Sequence, residues 1–160
     1  SQELIADMGK YVISSKPDVL ACLALGSCVG VAVFDSTISM GGMAHIMLPS
    51  SQGIDLEKCN NPDKFADIAI PKMLDELKSK GCQVSNLTVR IAGGAHMFRS
   101  MDQNIEDIGK KNYTAVKTIL QNLNLQIKSE ELGGNLGRTV RLFLETGVFQ
   151  IKTKDQIKEI

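Results

Sequence analysis

Cys28 and His45 are the two residues of this 160-residue chain whose types and spacing best fit a chemical reaction. A thiolate attacks a carbonyl carbon, and a neighbouring imidazole takes the thiol proton and returns it to the leaving group. The sequence predicts a β-hairpin that carries both residues: with Phe34 opposite Ser39, Cys28 stands opposite His45. Directly opposed residues have Cβ atoms about 4.5–5.5 Å apart, which an imidazole can bridge to a thiol. A slip of one residue would place the two side chains on opposite faces, and either residue could instead be a packing residue of an apolar strand.

Two apolar runs and a polar turn predict this hairpin. Residues 29–34 are apolar and rich in β-branched side chains, residues 35–37 are typical of a turn, and residues 39–48 form the return strand before Pro49. The nucleophile therefore lies at the beginning of the first strand and the base lies on the second.

Gly26 and Ser27 precede the candidate nucleophile and predict an oxyanion site. A glycine lets the backbone turn sharply, and the amide N–H groups that follow can point at the negative oxygen of a tetrahedral intermediate. Residues 26–30 also match G-x-C-x-G, the thiol form of a nucleophile elbow. We reject an elbow because it requires a helix after the nucleophile, where this sequence has the composition of a strand, and because hydrolases of that fold are usually much longer.

Short apolar runs separated by turn residues predict about eight strands. Those outside the hairpin are residues 8–14, 19–25, 87–92, 125–129, 139–144 and 148–152. Glu145-Thr146-Gly147 predicts the turn of a hairpin between the last two.

Two longer stretches have helical periodicity. Residues 61–81 open on Asn-Pro-Asp, a favourable helix start, and end on a glycine. Pro71 lies inside this helix and is expected to kink or divide it. The second helix begins at Ile105 or Ile108 and ends at Leu123. The strands, the hairpin links and the two main helices predict an α+β fold, a layered sandwich of mostly antiparallel sheets, and we expect one domain over residues 1–160.

Charge and hydropathy exclude several classes of protein. Eighteen basic and eighteen acidic residues cancel, and a neutral chain without a basic block is a poor candidate for binding nucleic acid or an anionic membrane. No apolar run approaches the roughly 20 residues that span a bilayer, and the first residues do not resemble a signal peptide. We therefore expect a cytoplasmic protein.

The cysteines are expected to be free thiols. Their spacing fits neither a zinc ribbon nor a C-x-x-C redox motif, so we expect no metal site and no disulfide in a reducing compartment. The four are Cys22, Cys28, Cys59 and Cys82. For Cys59 and Cys82, in a loop and just past a helix end, we expect structural roles only.

Two other features leave alternatives open. His96 could replace the hairpin histidine as the base, although no local pairing connects it to the nucleophile. Residues 133–138, Gly-Gly-Asn-Leu-Gly-Arg, are either a tight turn between strands or a backbone nest in which Asn135 and Arg138 contact a ligand at the edge of a pocket. A phosphate cradle is disfavoured because neither Gly-Lys-Ser/Thr nor a helix follows.

Blocks of residues in order along nearly the whole chain resemble a known family. They are Leu25-Gly26-Ser27-Cys28-Val29, Gly41-Gly42-Met43-Ala44-His45-Ile46-Met47-Leu48-Pro49, Lys64-Phe65-Ala66-Asp67, Ile91-Ala92-Gly93-Gly94-Ala95-His96-Met97-Phe98, Ile108-Gly109-Lys110-Lys111-Asn112, and Gly133-Gly134-Asn135 with Arg138 and Val140. These blocks resemble the chemoreceptor glutamine deamidase family, CheD.

The resemblance implies a protein amidohydrolase that converts selected glutamine side chains on chemoreceptor cytoplasmic helices to glutamates. Cys28 would attack the carboxamide carbon, and His45 would protonate the leaving ammonia and then activate water, without a metal or organic cofactor. Among the other candidates, Ser27 would act through its backbone amide, and Gly26, Asn135 and Arg138 would contact the substrate. The resemblance also implies a fold similar to the catalytic domain of the cytotoxic necrotising factor toxins. The implied partner is a CheC-like phosphatase or, in archaeal relatives, another chemotaxis adaptor.

Cys22 departs from the family pattern, which has a threonine six residues before the nucleophile to orient the histidine. A thiol is a weaker hydrogen-bond partner than a hydroxyl. A second hypothesis therefore stands beside the deamidase: a signalling interaction module that binds CheC-like or receptor partners with little catalysis. A third is a thiol hydrolase that acts on a small amide.

Overall fold

Two five-stranded sheets and two helices make up the protein in a computed structural model that describes residues 1–97 and 107–160. The strands are β1 (Glu3–Ile5), β2 (Tyr11–Ser15), β3 (Val19–Leu25), β4 (Val29–Asp35), β5 (Met40–Ile46), β6 (Leu87–Gly93), β7 (Ile127–Leu132), β8 (Arg138–Phe143), β9 (Phe149–Lys152) and β10 (Ile157–Glu159). The helices are α1 (Ala66–Ser79) and α2 (Ile108–Asn122).

The first sheet has the strand order β1-β3-β8-β9-β10, and the second has the order β2-β5-β4-β6-β7. Each contains one parallel pair, β1 with β3 and β6 with β7, and the other pairs are antiparallel. This confirms the predicted α+β sandwich of mostly antiparallel sheets. Consecutive strands β3 and β4 lie in different sheets, so the short segment between them connects the two.

Strand β4 separates two apolar layers because its side chains alternate between its two faces. Val29, Val31 and Val33 pack with α1 and α2 in the helix-side layer, whose other members include Ala44, Ile70, Leu77 and Leu120. Ala32 and Phe34 pack against the first sheet in the inter-sheet layer, whose other members include Leu20, Cys22, Met43, Val140 and Leu142. The order is thus first sheet, inter-sheet layer, second sheet, helix-side layer and helices.

Helix α1 begins later than predicted. Residues 62–64 form a 3-10 turn, and the helix starts at Ala66 because the preceding residues are bonded to the chain that follows β5. The amides of Met47 and Leu48 both donate to the carbonyl of Lys64 at 3.0 Å. Pro71 does not divide the helix, since the N–H that it lacks would supply only one bond, to the carbonyl of Asp67.

The remaining differences from the predictions concern short elements and boundaries. Strands β1 and β10, of three residues each, were not predicted, because three residues carry too little periodicity. Helix α2 begins at Ile108; the alternative start, Ile105, lies outside the described residues. Neither helix of the described part of the chain is long and apolar enough to cross a membrane.

Candidate active site

The hairpin of β4 and β5 pairs in a different register from the predicted one. Val29 stands opposite Ile46, and Gly30 stands opposite His45. Cys28 is therefore not directly opposite His45, and that prediction was wrong by two positions.

Asp35 explains the difference, because it belongs to the strand rather than to the turn. It pairs with Met40, and its Oδ1 accepts hydrogen bonds from the amide of Thr37 at 2.9 Å and from the Thr37 hydroxyl at 2.5 Å. Ser39 closes the turn with φ +51°. The centre of the turn lies one residue later than predicted, so the residue opposite any given position lies two positions further along the chain. Because two is an even number, every side chain keeps its predicted face.

Cys28 and His45 therefore still share a face, the one that points toward the first sheet. Cys28 precedes Gly30 by two residues and packs against the inter-sheet layer, and His45 follows Met43 of that layer by two. Diagonal neighbours of a hairpin are up to about 7–8 Å apart, within reach of an imidazole. Gly30 puts no side chain between them.

A backbone carbonyl orients the ring of His45, which is 3% exposed. Its Nδ1 lies 3.0 Å from the carbonyl oxygen of Ala6, in the segment that follows β1. A carbonyl only accepts, so we assign the hydrogen to Nδ1 and the lone pair to Nε2. Burial lowers the pKa of His45, while the contact with Ala6 and the charge of Asp7 act in the opposite direction. The ring is consequently neutral near neutral pH, which is the form of a base.

Burial raises the pKa of the Cys28 thiol. Among the described residues the thiol has no hydrogen-bond partner, and its free form is protonated near neutral pH. The resting pair is therefore a neutral thiol and a neutral imidazole. A nucleophilic attack by Cys28 would therefore require proton transfer from its sulfur to His45.

The backbone around Cys28 can bind an oxyanion. Within residues 1–97 and 107–160, the amide N–H groups of Ser27 and Cys28 have no acceptor. The carbonyls on either side are engaged: Gly94 N donates to Cys28 O at 2.8 Å, and Ala95 N donates to Gly26 O at 2.9 Å. The loop is thus held through its carbonyls, which leaves both amides available to an oxyanion.

Gly93 is the residue that allows this close approach. It has φ +117°, and a Cβ at this position would lie 2.3 Å from the carbonyl oxygen of Cys28. Any side chain here would displace the backbone of Cys28.

Asn112 connects the two segments that carry the candidate catalytic pair, and the sequence analysis assigned it no role. Its side-chain amide is fully buried on α2 and donates from Nδ2 to the carbonyls of Ser27 and Met47, each at 2.9 Å. Two carbonyl partners fix the orientation of the amide. The signal in the sequence was an asparagine on the apolar face of a helix, in line with Val116 and Leu120.

Cys22 lies in the inter-sheet layer, fully buried. Its Sγ is 3.9 Å from the carbonyl of Ala44, which precedes His45, and it would lie 3.7 Å from a Cβ at Gly30. Burial is the main cause that raises the pKa of the Cys22 thiol, and the nearby Cys28 raises it further, so Cys22 stays protonated. It contacts the backbone next to the histidine, whereas Ala6 holds the ring.

Arg138 organises the loop of residues 133–138. Its buried guanidinium donates to the carbonyl of Glu131 at 2.7 Å and to the carbonyl of Gly133. Burial lowers the pKa of Arg138, which the charge of Glu131 partly offsets. Asn135 is exposed at the end of this loop. The contacts favour the tight-turn hypothesis, and a substrate contact by Asn135 or Arg138 stays a prediction.

His96 is engaged away from the candidate pair. Its amide donates to Gly134 O at 2.8 Å, and its Nδ1 lies 3.5 Å from the carboxylate of Asp107. The first contact joins the segment after β6 to the loop before β8, and the second joins it to the start of α2. They favour His45 over His96 as the base.

A surface depression of about 340 Å³ opens at His45. Its other lining residues are Ile5, Ala6, Asp7, Met8 and Leu23, and Cys28 is not among them. The wall is largely apolar, with the carboxylate of Asp7 as the one acidic group among the described lining residues. In the part of the chain that the structure describes, no three His, Cys, Asp or Glu side chains are arranged to hold a metal ion, and all four cysteines are free.

Comparison with known proteins places the chain in one family. Residues 47–153 match the family model CheD, described as CheD chemotactic sensory transduction. A probable chemoreceptor glutamine deamidase CheD of Clostridium kluyveri is 44% identical over 158 residues, which cover 98% of this chain and 94% of the relative. Relatives with the same description are 41% identical in Clostridium tetani, covering 93% and 88%, and 39% identical in Methanococcus maripaludis, covering 96% of each.

A solved structure shares the fold at a much lower level of sequence identity. The hypothetical protein YfiH of Bacillus licheniformis superimposes with a TM-score of 0.51 at 12% identity, over 78% of this chain and 51% of that one. This likeness concerns the fold alone. The extent and identity of the sequence matches are decisive: the chain belongs to the CheD family.

Proposed function

We propose that this protein is a chemoreceptor glutamine deamidase in which Cys28 is the nucleophile and His45 is the general base and acid. The observation that carries the proposal is the buried His45 ring, whose Nδ1 lies 3.0 Å from the Ala6 carbonyl oxygen and whose Nε2 has no hydrogen-bond partner among the described residues, on the face that it shares with Cys28. The names of the relatives supply the substrate class.

Acylation begins as Cys28 Sγ attacks the carboxamide carbon of a glutamine and His45 Nε2 takes the thiol proton. The amide N–H groups of Ser27 and Cys28 stabilise the oxyanion. His45 then gives its proton to the amide nitrogen, the C–N bond breaks, and ammonia leaves a thioester on Cys28.

Hydrolysis of the thioester uses the same groups in reverse. His45 takes a proton from water, and the hydroxide attacks the thioester carbonyl. When the C–S bond breaks, the sulfur regains its proton from His45, and a glutamate side chain is released. Every step uses this chain's own residues and water.

The remaining parts of the proposal follow from the family. The substrate is the cytoplasmic helical part of a chemoreceptor, the protein acts in the cytoplasm as one domain over residues 1–160, and it requires no cofactor. Its regulatory partner is a CheC-like phosphatase or an archaeal chemotaxis adaptor.

Intact-mass analysis of a receptor cytoplasmic domain from the same organism tests the proposal. Each deamidation replaces NH₂ by OH and adds about 1 Da, and we expect this shift with the native protein but not with Cys28→Ala. Cys59→Ala is the matched control, because Cys59 is also a half-buried free thiol. Equal shifts with native protein and Cys28→Ala would contradict the mechanism.

The interaction module is the second candidate, and the weak contact of Cys22 favours it. It predicts a receptor domain that binds this protein without any change in mass. A thiol hydrolase of small amides predicts instead that free glutamine analogues release ammonia rapidly.

A further inference from the structure

A second depression, of about 530 Å³, lies on the first sheet beside the nucleophile loop. Gly26 is one of its lining residues and precedes Cys28 by two positions. Leu23 lines both this depression and the one at His45. The two depressions therefore adjoin at Leu23, and the proposed chemistry uses none of the side chains that line the second one.

The lining of this depression is basic. It includes Arg141, Lys152 and Lys154, and none of the described residues that line it is acidic. Arg141 is paired with Glu3 at 2.6 Å. Among the described residues, no carboxylate lies within salt-bridge distance of Lys152 or Lys154, and both lysines are exposed. Two positive charges are thus available to a bound molecule.

The same depression has two exposed apolar side chains. Leu23 is 41% exposed and Met97 is 47% exposed. Met97 also covers Gly26, where a Cβ would lie 3.2 Å from Met97 Cγ. The depression thus combines an apolar contact to the nucleophile loop with the two lysines.

A β-bulge gives Leu23 this position. Cys22 pairs with Val140 and Leu25 pairs with Arg138, so one extra residue of β3 is accommodated between them. Ala24 takes φ +52°, a conformation that costs energy for a residue with a side chain. Bulges next to active sites redirect side chains, and here the bulge turns Leu23 toward solvent between the two depressions.

Resting on the function proposed above, we propose that the surface formed by Leu23, Met97, Lys152 and Lys154 binds an acidic segment of the protein substrate beside the target glutamine. The lysines pair with carboxylates of that segment, and Leu23 and Met97 contact an apolar side chain next to them. The reaction product is itself a glutamate. A neighbouring glutamine that has already been converted therefore strengthens binding of the segment, and closely spaced sites are modified in a preferred order.

The test is the charge reversal Lys152→Glu/Lys154→Glu, assayed by ammonia release from the receptor cytoplasmic domain. We expect KM to rise about three- to tenfold with kcat unchanged, because exposed pairs are individually weak. The KM of the native protein should also rise with salt, and that of the variant should do so less. The matched control is Lys78→Glu/Lys80→Glu, two exposed lysines with the same spacing on the helix side.

A charge exchange makes the test specific. Replacing the glutamates that flank the target glutamine by lysine should raise KM for the native protein and lower it for the reversed variant. A short neutral glutamine peptide should be turned over equally by both proteins. If the double reversal behaves like the control on the receptor domain, the surface does not bind substrate. If no substrate is deamidated in a Cys28-dependent way, the proposed function itself fails, which is a separate outcome.

Discussion

The two apolar layers on either side of the second sheet differ in what they contain. The helix-side layer is built from aliphatic side chains of α1, α2 and the sheet, with Cys82 at its edge. The inter-sheet layer contains Cys22, adjoins Cys28 and His45, and has Gly30 and Gly41 where side chains of the first sheet approach the second. One layer thus only stabilises the fold, while the other combines packing with the proposed catalytic pair. Substitutions should separate these two roles.

Leu77→Ala should have the largest effect on stability and little effect on chemistry. Leu77 is fully buried in the helix-side layer, and such truncations cost about 2–5 kcal/mol of unfolding free energy. Urea unfolding should show this loss, with deamidation per folded molecule close to that of the native protein. Asp75→Ala, exposed on the same helix, is the control. A large loss of kcat in folded Leu77→Ala would mean that the layers are not separate.

Asn112→Ala should affect both layers, because the residue reaches from α2 to the two catalytic segments. Loss of the amide leaves the carbonyls of Ser27 and Met47 without their donor, which costs about 1–3 kcal/mol. We expect kcat to fall with KM little changed, since Asn112 positions the segments and does not touch substrate. Thr114→Ala, exposed on α2, should leave both constants unchanged. An unchanged kcat in folded Asn112→Ala would restrict the residue to a structural role.

The pH dependence of stability and of kcat/KM should report on His45, which adjoins the inter-sheet layer. Burial lowers the pKa of its ring below the ordinary 6.5 of the unfolded chain. As the pH falls below 6.5, the unfolded chain therefore binds a proton at His45 before the folded protein does. Stability is therefore highest above the ordinary value and falls as the pH decreases through it. Denaturant midpoints from pH 5 to 8 should show this slope, and His45→Gln should reduce it. The acid limb of kcat/KM should have its midpoint below 6.5, and a midpoint above it would contradict the neutral resting ring.

Cys22→Thr should have the smallest effect. Because the Ala6 carbonyl already holds His45, a hydroxyl that donates to Ala44 adds support that the ring does not need. We expect kcat to change by less than about threefold, at the low end of what one neutral hydrogen bond contributes, with a small loss of stability from the added methyl group. A rise in kcat of more than tenfold would instead support the interaction module, with Cys22 as the reason for its weak catalysis.

Much of the fold could be predicted from local patterns. The strand over residues 19–25 and the layered α+β class followed from apolar runs, turn residues and helical spacing. The face shared by Cys28 and His45 was also predictable, because the alternation of a strand survives an error of two positions. The register itself could not be predicted, because an aspartate is typical of a turn, whereas Asp35 is the last residue of strand β4.

The contacts that complete the site join residues far apart in the chain. Ala6 reaches His45 through the packing of one sheet on the other, and Asn112 reaches Ser27 and Met47 from a helix on the opposite side of the second sheet. Backbone carbonyls are present at every residue, so no residue type marks the ones that hold a catalytic ring. The bulge at Leu23 and Ala24 could not be predicted either, because neither residue type is typical of a β-bulge.

The three residues between β3 and β4, which include Cys28 and connect one sheet to the other, also determine where this protein can be engineered. One residue inserted between Cys28 and Val29 would reverse the alternation and turn the thiol away from His45. Residues 52–58 are exposed and lie outside both sheets, so a fluorescent label, an affinity tag or the new termini of a circular permutant belong in that loop.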